Sequence, residues 1–273
     1  MRKYGRLFET EFAKIKTSSG DTRFNGVTMH QEERLGFSEV WVSLNDKNEL
    51  GRDAGNYITF YITEKNDRNL KALTLRLSFA IKKLCGEQAK RVLFLGMGNA
   101  EIISDALGTK TLEILDMGEF ASFKKQVQFA KFCPGVFAVS GFQSFEIVKA
   151  LTSIFLPDVV IVVDSLCAGS VSRLGNCVQL TDAGITPGSA VGGKLSKLSS
   201  ETLGGVRVVS IGVPVVIYLQ SVIEEATQKL KPLEDKSLEV LDDFDGIFSP
   251  KEIDEIINDS SKLIANAIRK AFI

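Results

Sequence analysis

The chain predicts an α/β fold built on a mostly parallel central sheet, and three observations carry that reading. Residues 92–95 and 159–163 are continuous apolar runs of strand length, the pattern of strands buried on both faces rather than of a half-solvated sheet, and VRVVSIGV (206–213) reads as a further buried strand. Segments of helical period lie between them, and strand, helix, strand, helix, strand is the order of parallel strands joined by crossovers. At 273 residues with 44% hydrophobic content, the chain can bury one large core.

Taken in order, residues 1 to 35 are polar and without clear period, and read as an N-terminal arm or prosegment. Residues 36 to 273 read as one α/β domain. FSEVWVSL (37–44) and YITFYIT (57–63) are β-branched and aromatic runs separated by turn-rich residues, which suggests a strand pair with a long loop. From Asn69 to Leu84 the apolar positions Leu70, Leu73, Leu77, Ala80, Ile81 and Leu84 recur at helical spacing, and Gly86 ends the helix. A strand at 92–95 runs into the tight turn Gly96-Met97-Gly98-Asn99, and a helix follows from near Asp105 towards Leu115. Residues 136–139 read as a short strand and 144–154 as a helix leading into the strand at 159–163. Residues 206–213 read as a strand closed by Pro214, with strand or helix continuing to Leu230. The linker to Ser249 is charged and expected to be exposed. Ser249-Pro250-Lys251-Glu252 has the pattern of a capping box, with Ser249 as N-cap of a last helix. Its stripe of Ile253, Ile256, Ile257, Leu263, Ile264 and Ala267 is expected to dock on the sheet.

Several classes of function are disfavoured at this level. Lys and Arg number 33 against 34 Asp and Glu, so no charge excess suits a dedicated nucleic-acid binder. The N-terminus shows no signal-peptide core, and no apolar run approaches membrane-spanning length, so a cytoplasmic protein with no membrane partner is expected. The four cysteines (85, 133, 167 and 177) lack C-x-x-C spacing, and His30 is the only histidine. That composition argues for free thiols, no cofactor and no zinc site, and against a nucleophile paired with histidine. Carboxylates are left as the workers of a hydrolase.

The stretch 157–194 is the one that reads as an active-site edge. The apolar run at 159–163 meets Asp164, and a loop rich in Gly, Ser, Asp and Pro follows. In an open parallel sheet, ligands bind beyond the carboxyl ends of the strands. Asp105 follows the strand and glycine turn at 92–98 in the same way, so both aspartates reach one edge. Two carboxylates held close share a proton, and such a pair activates water and protonates a leaving amine. The alternative is two unrelated N-caps. Gly96, Gly98 and Asn99 let the backbone approach a substrate or turn sharply beside a cleft, while the third glycine of a dinucleotide fingerprint is missing. The loop Gly188, Ser189, Gly192, Gly193, Lys194 fits G-x-x-x-x-G-K, but Leu195 stands where a P-loop needs Ser or Thr. These residues form either a substrate-embracing loop or a demanding turn.

DALG (105–108) after LGMGN, the block 161–194, LSSETLG (198–204), VVSIGVP (208–214) and the terminal SPKEIDEIINDSSKLIANAI together resemble the germination proteases of spore-forming bacteria. The resemblance runs from about Leu77 to the C-terminus. It implies an atypical aspartic endopeptidase that degrades small acid-soluble spore proteins during germination and is made as a self-processing zymogen. It implies a three-layer α/β sandwich like that of the hydrogenase-maturation peptidases, a homotetramer, and a location in the spore core. The motifs place the catalytic aspartates on Asp105 and Asp164, and Asp182 in LTDAGITPGS on a further aspartate that shapes the cleft or stabilises a turn. Thr10-Glu11-Phe12-Ala13 resembles the family's cleavage sequence, so self-processing is expected between Glu11 and Phe12. The chain departs from the pattern in three places. A short charged linker replaces a larger insertion after Leu230, Thr186 stands for a histidine, and Leu166-Cys167-Ala168-Gly169 follows the second aspartate where an arginine is usual. A non-catalytic, peptide-binding relative is the rival reading.

Overall fold

The computed structural model describes residues 24–123, 127–187, 196–230 and 246–273. Strands β1 (Val27–Arg34), β2 (Phe37–Leu44) and β3 (Gly55–Ile62) form an antiparallel meander. Helix α1 (Asp67–Cys85) starts where the Asn66 side chain accepts the Asn69 N–H and stops at Gly86, whose φ of 81° suits glycine. Then follow β4 (Arg91–Gly96), a 3-10 turn (Ile103–Asp105), α2 (Leu107–Ile114), α3 (Met117–Phe123), β5 (Gln128–Phe132), α4 (Phe137–Ser140) and α5 (Ser144–Phe155). The second half contains β6 (Val159–Ala168), β7 (Cys177–Thr181), β8 (Arg207–Tyr218), α6 (Leu219–Leu230), β9 (Ile247–Phe248) and α7 (Ile253–Phe272).

These strands make one sheet in the order β1-β2-β3-β7-β8-β6-β4-β5, with β9 pairing the end of β8. The half formed by β8, β6, β4 and β5 is parallel, as the apolar runs predict, and the half formed by β1, β2, β3 and β7 is antiparallel. Strand alternation divides the core. Val159, Ile161, Val163, Val209, Ile211 and Phe94 face α1, α2 and α7, while Val160, Val162, Leu93, Leu95 and Val208 face α5. Helices on both faces of a sheet give the three-layer sandwich. The apolar face of α7 packs against α1 and α2 as well as the sheet.

Several local expectations are corrected. Residues 27–34 are not part of an arm: they pair along their whole length with β2, and their alternating exposure is that of an edge strand with one wet face. Residues 136–139 are not a strand, because 137–140 close a helical turn ended by Gly141 in the left-handed region, and the strand lies earlier, at β5. The final helix begins at Ile253, with no side-chain cap, so the Ser249 capping box does not form; a turn through Pro250 precedes it instead. Strand β8 runs through Pro214 rather than ending there. The missing N–H is tolerated because β7 pairs β8 only as far as Gly212, and β6 shifts register beside it, between Leu166 and Cys167. Among the described residues no helix is long and apolar enough to cross a membrane.

Candidate active site

Asp164 does not end its strand, as its position after an apolar run suggests; β6 continues to Ala168 beside β8. The edge is made by the other neighbour. β4 stops at Gly96, paired with Val163, so Asp164 is the first residue of β6 that β4 no longer flanks. The chain leaving β4 turns back at once, with the Met97 N–H donating to Val163 O at 2.9 Å. Gly98, at φ 100°, lets it curl so tightly that a Cβ there would overlap the Asp105 carbonyl oxygen and lie 2.9 Å from Asp105 Oδ1. The curl delivers Asp105 to the edge where Asp164 emerges.

Neither aspartate is an N-cap. The residue capping α2 is Ala106, with no side-chain bond. Asp105 is half-buried and its Oδ2 accepts the Asn99 N–H at 2.8 Å. Burial raises its pKa above the ordinary carboxylate range, and the Asn99 hydrogen bond partly offsets that rise. Asp164 is 6% exposed. Burial first, then the negative charge of Asp105, push its pKa up to about 8, against a smaller opposing hydrogen bond from the Ser165 N–H. Asp164 is thus the member of the pair whose surroundings favour its protonated form.

Of the two uses read for these glycines, Gly98 serves the sharp turn, and Gly96 adds a close backbone contact. Gly96 faces Gly108 of α2: a Cβ on Gly96 would come 2.5 Å from Gly108 O, and one on Gly108 would come 2.5 Å from both N and O of Met97. Gly108 is the residue that sequence reasoning missed. Its signal was the DALG motif, read for its aspartate alone. The Asn99 N–H, expected to face a substrate, holds Asp105 instead.

Asp182 is not brought to the pair. Thr181 pairs with Ser210, two residues before the Gly212 that faces Asp164, so Asp182 lies two strands away and towards the other end of the sheet. Its carboxylate accepts the Asn56 N–H at 2.6 Å and the Asn56 side-chain amide at 2.8 Å, tying the start of β3 to the end of β7. Asp182→Ala is expected to destabilise the fold by roughly 1–3 kcal/mol in denaturant unfolding, leaving kcat within a few-fold of the parent. His30 lies on β1, at the opposite side of the sheet from β4 and β6. Glu11, Phe12, Gly188, Ser189, Gly192, Gly193 and Lys194 lie outside the described residues. Among the described residues, no three His, Cys, Asp or Glu side chains gather as a metal site requires.

Two aspartates that feel each other's charge at the carboxyl edge of an α/β sheet, both held above the ordinary carboxylate range by burial, are groups suited to general acid–base chemistry. Residues 8–236 match the family model described as germination protease, and the chain belongs to that family. Similar proteins include the germination proteases of Clostridium acetobutylicum, 30% identical over 94% of this chain and 90% of that one, and of Caldanaerobacter subterraneus subsp. tengcongensis, 29% identical over 90% and 88%. The germination protease of Oceanobacillus iheyensis is 30% identical over 73% of this chain, which spans 58% of that longer protein. Among solved structures, the [NiFe] hydrogenase maturation protease HycI from Thermococcus kodakarensis KOD1 is similar at 19% identity and a TM-score of 0.38, over 70% of this chain and 99% of that one.

Proposed function

We propose that the protein is an aspartate-dependent endopeptidase that cleaves small acid-soluble spore proteins on germination. The carrying observation is the burial of Asp164 at the sheet edge to which the Gly98 curl brings Asp105, surroundings that favour the protonated form of Asp164. Asp105, fixed by the Asn99 N–H, is the charged partner and accepts a proton from the attacking water. Asp164 gives its proton to the scissile carbonyl oxygen as water adds, and when the tetrahedral intermediate collapses the proton on Asp105 goes to the leaving amine while one hydroxyl proton of the intermediate returns to Asp164. No histidine, serine or metal enters this sequence of steps. Self-processing between Glu11 and Phe12, and assembly as a homotetramer, belong to the same proposal and rest on family membership.

The test is incubation of the full chain, and of a form beginning at Phe12, with a peptide containing Thr-Glu-Phe-Ala, read by mass spectrometry. Cleavage after Glu is expected, and no cleavage by either form would sink the proposal. The pH dependence has a defined sign. Activity needs Asp164 protonated, so kcat/KM is expected to fall as pH rises through about 8, a limb that a pH-rate profile on the same peptide reads directly.

A further inference from the structure

Alternation along β6 and β8 puts Val160, Val162 and Val208 on the face covered by α5. Asp164 is two residues on from Val162, and Ser210 two residues on from Val208, so both point to that face. The register pairs Val162 with Ser210 and Asp164 with Gly212. Ser210 and Asp164 are thus diagonal neighbours on adjacent parallel strands. The corner beside them, Gly212, carries no side chain, and Leu166 covers it: a Cβ on Gly212 would come 2.5 Å from Leu166 Cγ. Ser210 is 4% exposed and its Oγ has no hydrogen-bond partner among the described residues. On its other side Thr181 stands opposite, with its own Oγ1 accepting the Ala183 N–H. A buried hydroxyl without a partner is uncommon in folded proteins and calls for an explanation.

We infer that Ser210 is a positioning residue for Asp164, its hydroxyl reaching the carboxyl through one buried water. The inference rests on the reading of Asp164 as the proton-holding member of the pair. It extends that reading by explaining what orients the carboxyl from the β8 side. Asp105 acts from the turn that follows β4, and the Ser165 N–H from β6 itself. From β8 and β7, this face presents the uncharged Ser210, Gly212, Gln179 and Thr181. A donor from β8 would hold the carboxyl in one orientation and favour its charged form, so its removal releases the orientation and raises the pKa further.

The experiment is a pH titration of the Asp164 side-chain carbon by NMR in aspartate-labelled full-length protein, assigned with Asp164→Asn. Ser210→Ala is expected to raise the midpoint by about half a unit to one unit, the shift of one lost hydrogen bond. Ser210→Thr, which keeps the hydroxyl, is expected to restore the parent midpoint. Ser261→Ala removes another buried hydroxyl without a partner, far along α7, and is expected to leave the midpoint unchanged. On peptide cleavage, Ser210→Ala is expected to lower kcat several-fold with KM unchanged. A midpoint that is the same in Ser210→Ala and the parent overturns the inference. Retained cleavage by Asp164→Asn would instead overturn the peptidase mechanism, and the titration decides on Ser210 in either case.

Discussion

Asp164→Asn is expected to lose at least about three orders of magnitude in peptide cleavage while becoming more stable than the parent at pH 7 to 8. The two effects share one cause. A carboxyl that titrates near pH 4 in the unfolded chain and near 8 in the folded one is driven out of its charged state by folding. Below pH about 4 both states are protonated and the residue has no such effect. From there the destabilisation grows by about 1.4 kcal/mol per pH unit, to something on the order of 4 kcal/mol at pH 7, and levels off above about 8. An amide at this position never ionises, so it removes the penalty while also removing the proton that the reaction requires. Thermal unfolding of parent and variant across pH 4 to 8 should show curves that meet at the acid end and diverge upwards. Asp105→Asn is expected to abolish cleavage to the same degree. It also removes the charge that raises Asp164, so the Asp164 midpoint should fall in that variant. A variant that is inactive with an unchanged pH dependence of stability would mean that Asp164 is not the proton holder.

The sheet's parallel half and the placement of the two aspartates at its carboxyl edge were legible in the sequence because both depend on local signals. Continuous apolar runs identify strands buried on both faces, and a carboxylate or glycine turn just past such a run stands out. What escaped depends on partners distant along the chain. Nothing within β6 shows that the edge beside Asp164 comes from β4 stopping at Gly96 while β6 itself runs on. Strand β1 was hidden because an edge strand with one wet face needs few apolar residues, and its partner β2 defines it. Pro214 looked like a terminator because its missing N–H matters only where a neighbour asks for it, and β7 does not reach that far. Asp182 sits in a motif beside candidate site residues, yet its carboxylate is occupied by Asn56, 126 positions away.

Gly108→Ala is the substitution expected to do the most damage away from the carboxylates themselves, and it shows how the site is held. Helix α2 meets the strand ends backbone to backbone. At Gly108 an added methyl would press on Val163 O and come 2.5 Å from both N and O of Met97, all main-chain atoms with no rotamer to adopt. Flexible side chains can yield by a few tenths of an ångström, but a helix must move as a body. Relief therefore requires α2 to lift from the sheet, breaking its apolar contacts through Leu107, Leu112 and Leu115 with the core shared by α7. The expected destabilisation is about 3 kcal/mol or more, at the upper end for overpacking, measured by denaturant unfolding. Asp105 stands three residues before Gly108, and its placement depends on the Gly98 curl and the Asn99 N–H. A shift of α2 on the order of 1 Å carries it out of line with Asp164, at a further expected loss of about a hundred-fold in kcat. The Asp164 midpoint offers an independent readout: with Asp105 displaced, its charge acts from farther away and the midpoint should drop towards the ordinary carboxylate range. Full activity in a folded Gly108→Ala protein would show that the helix is not what sets the distance between the two aspartates.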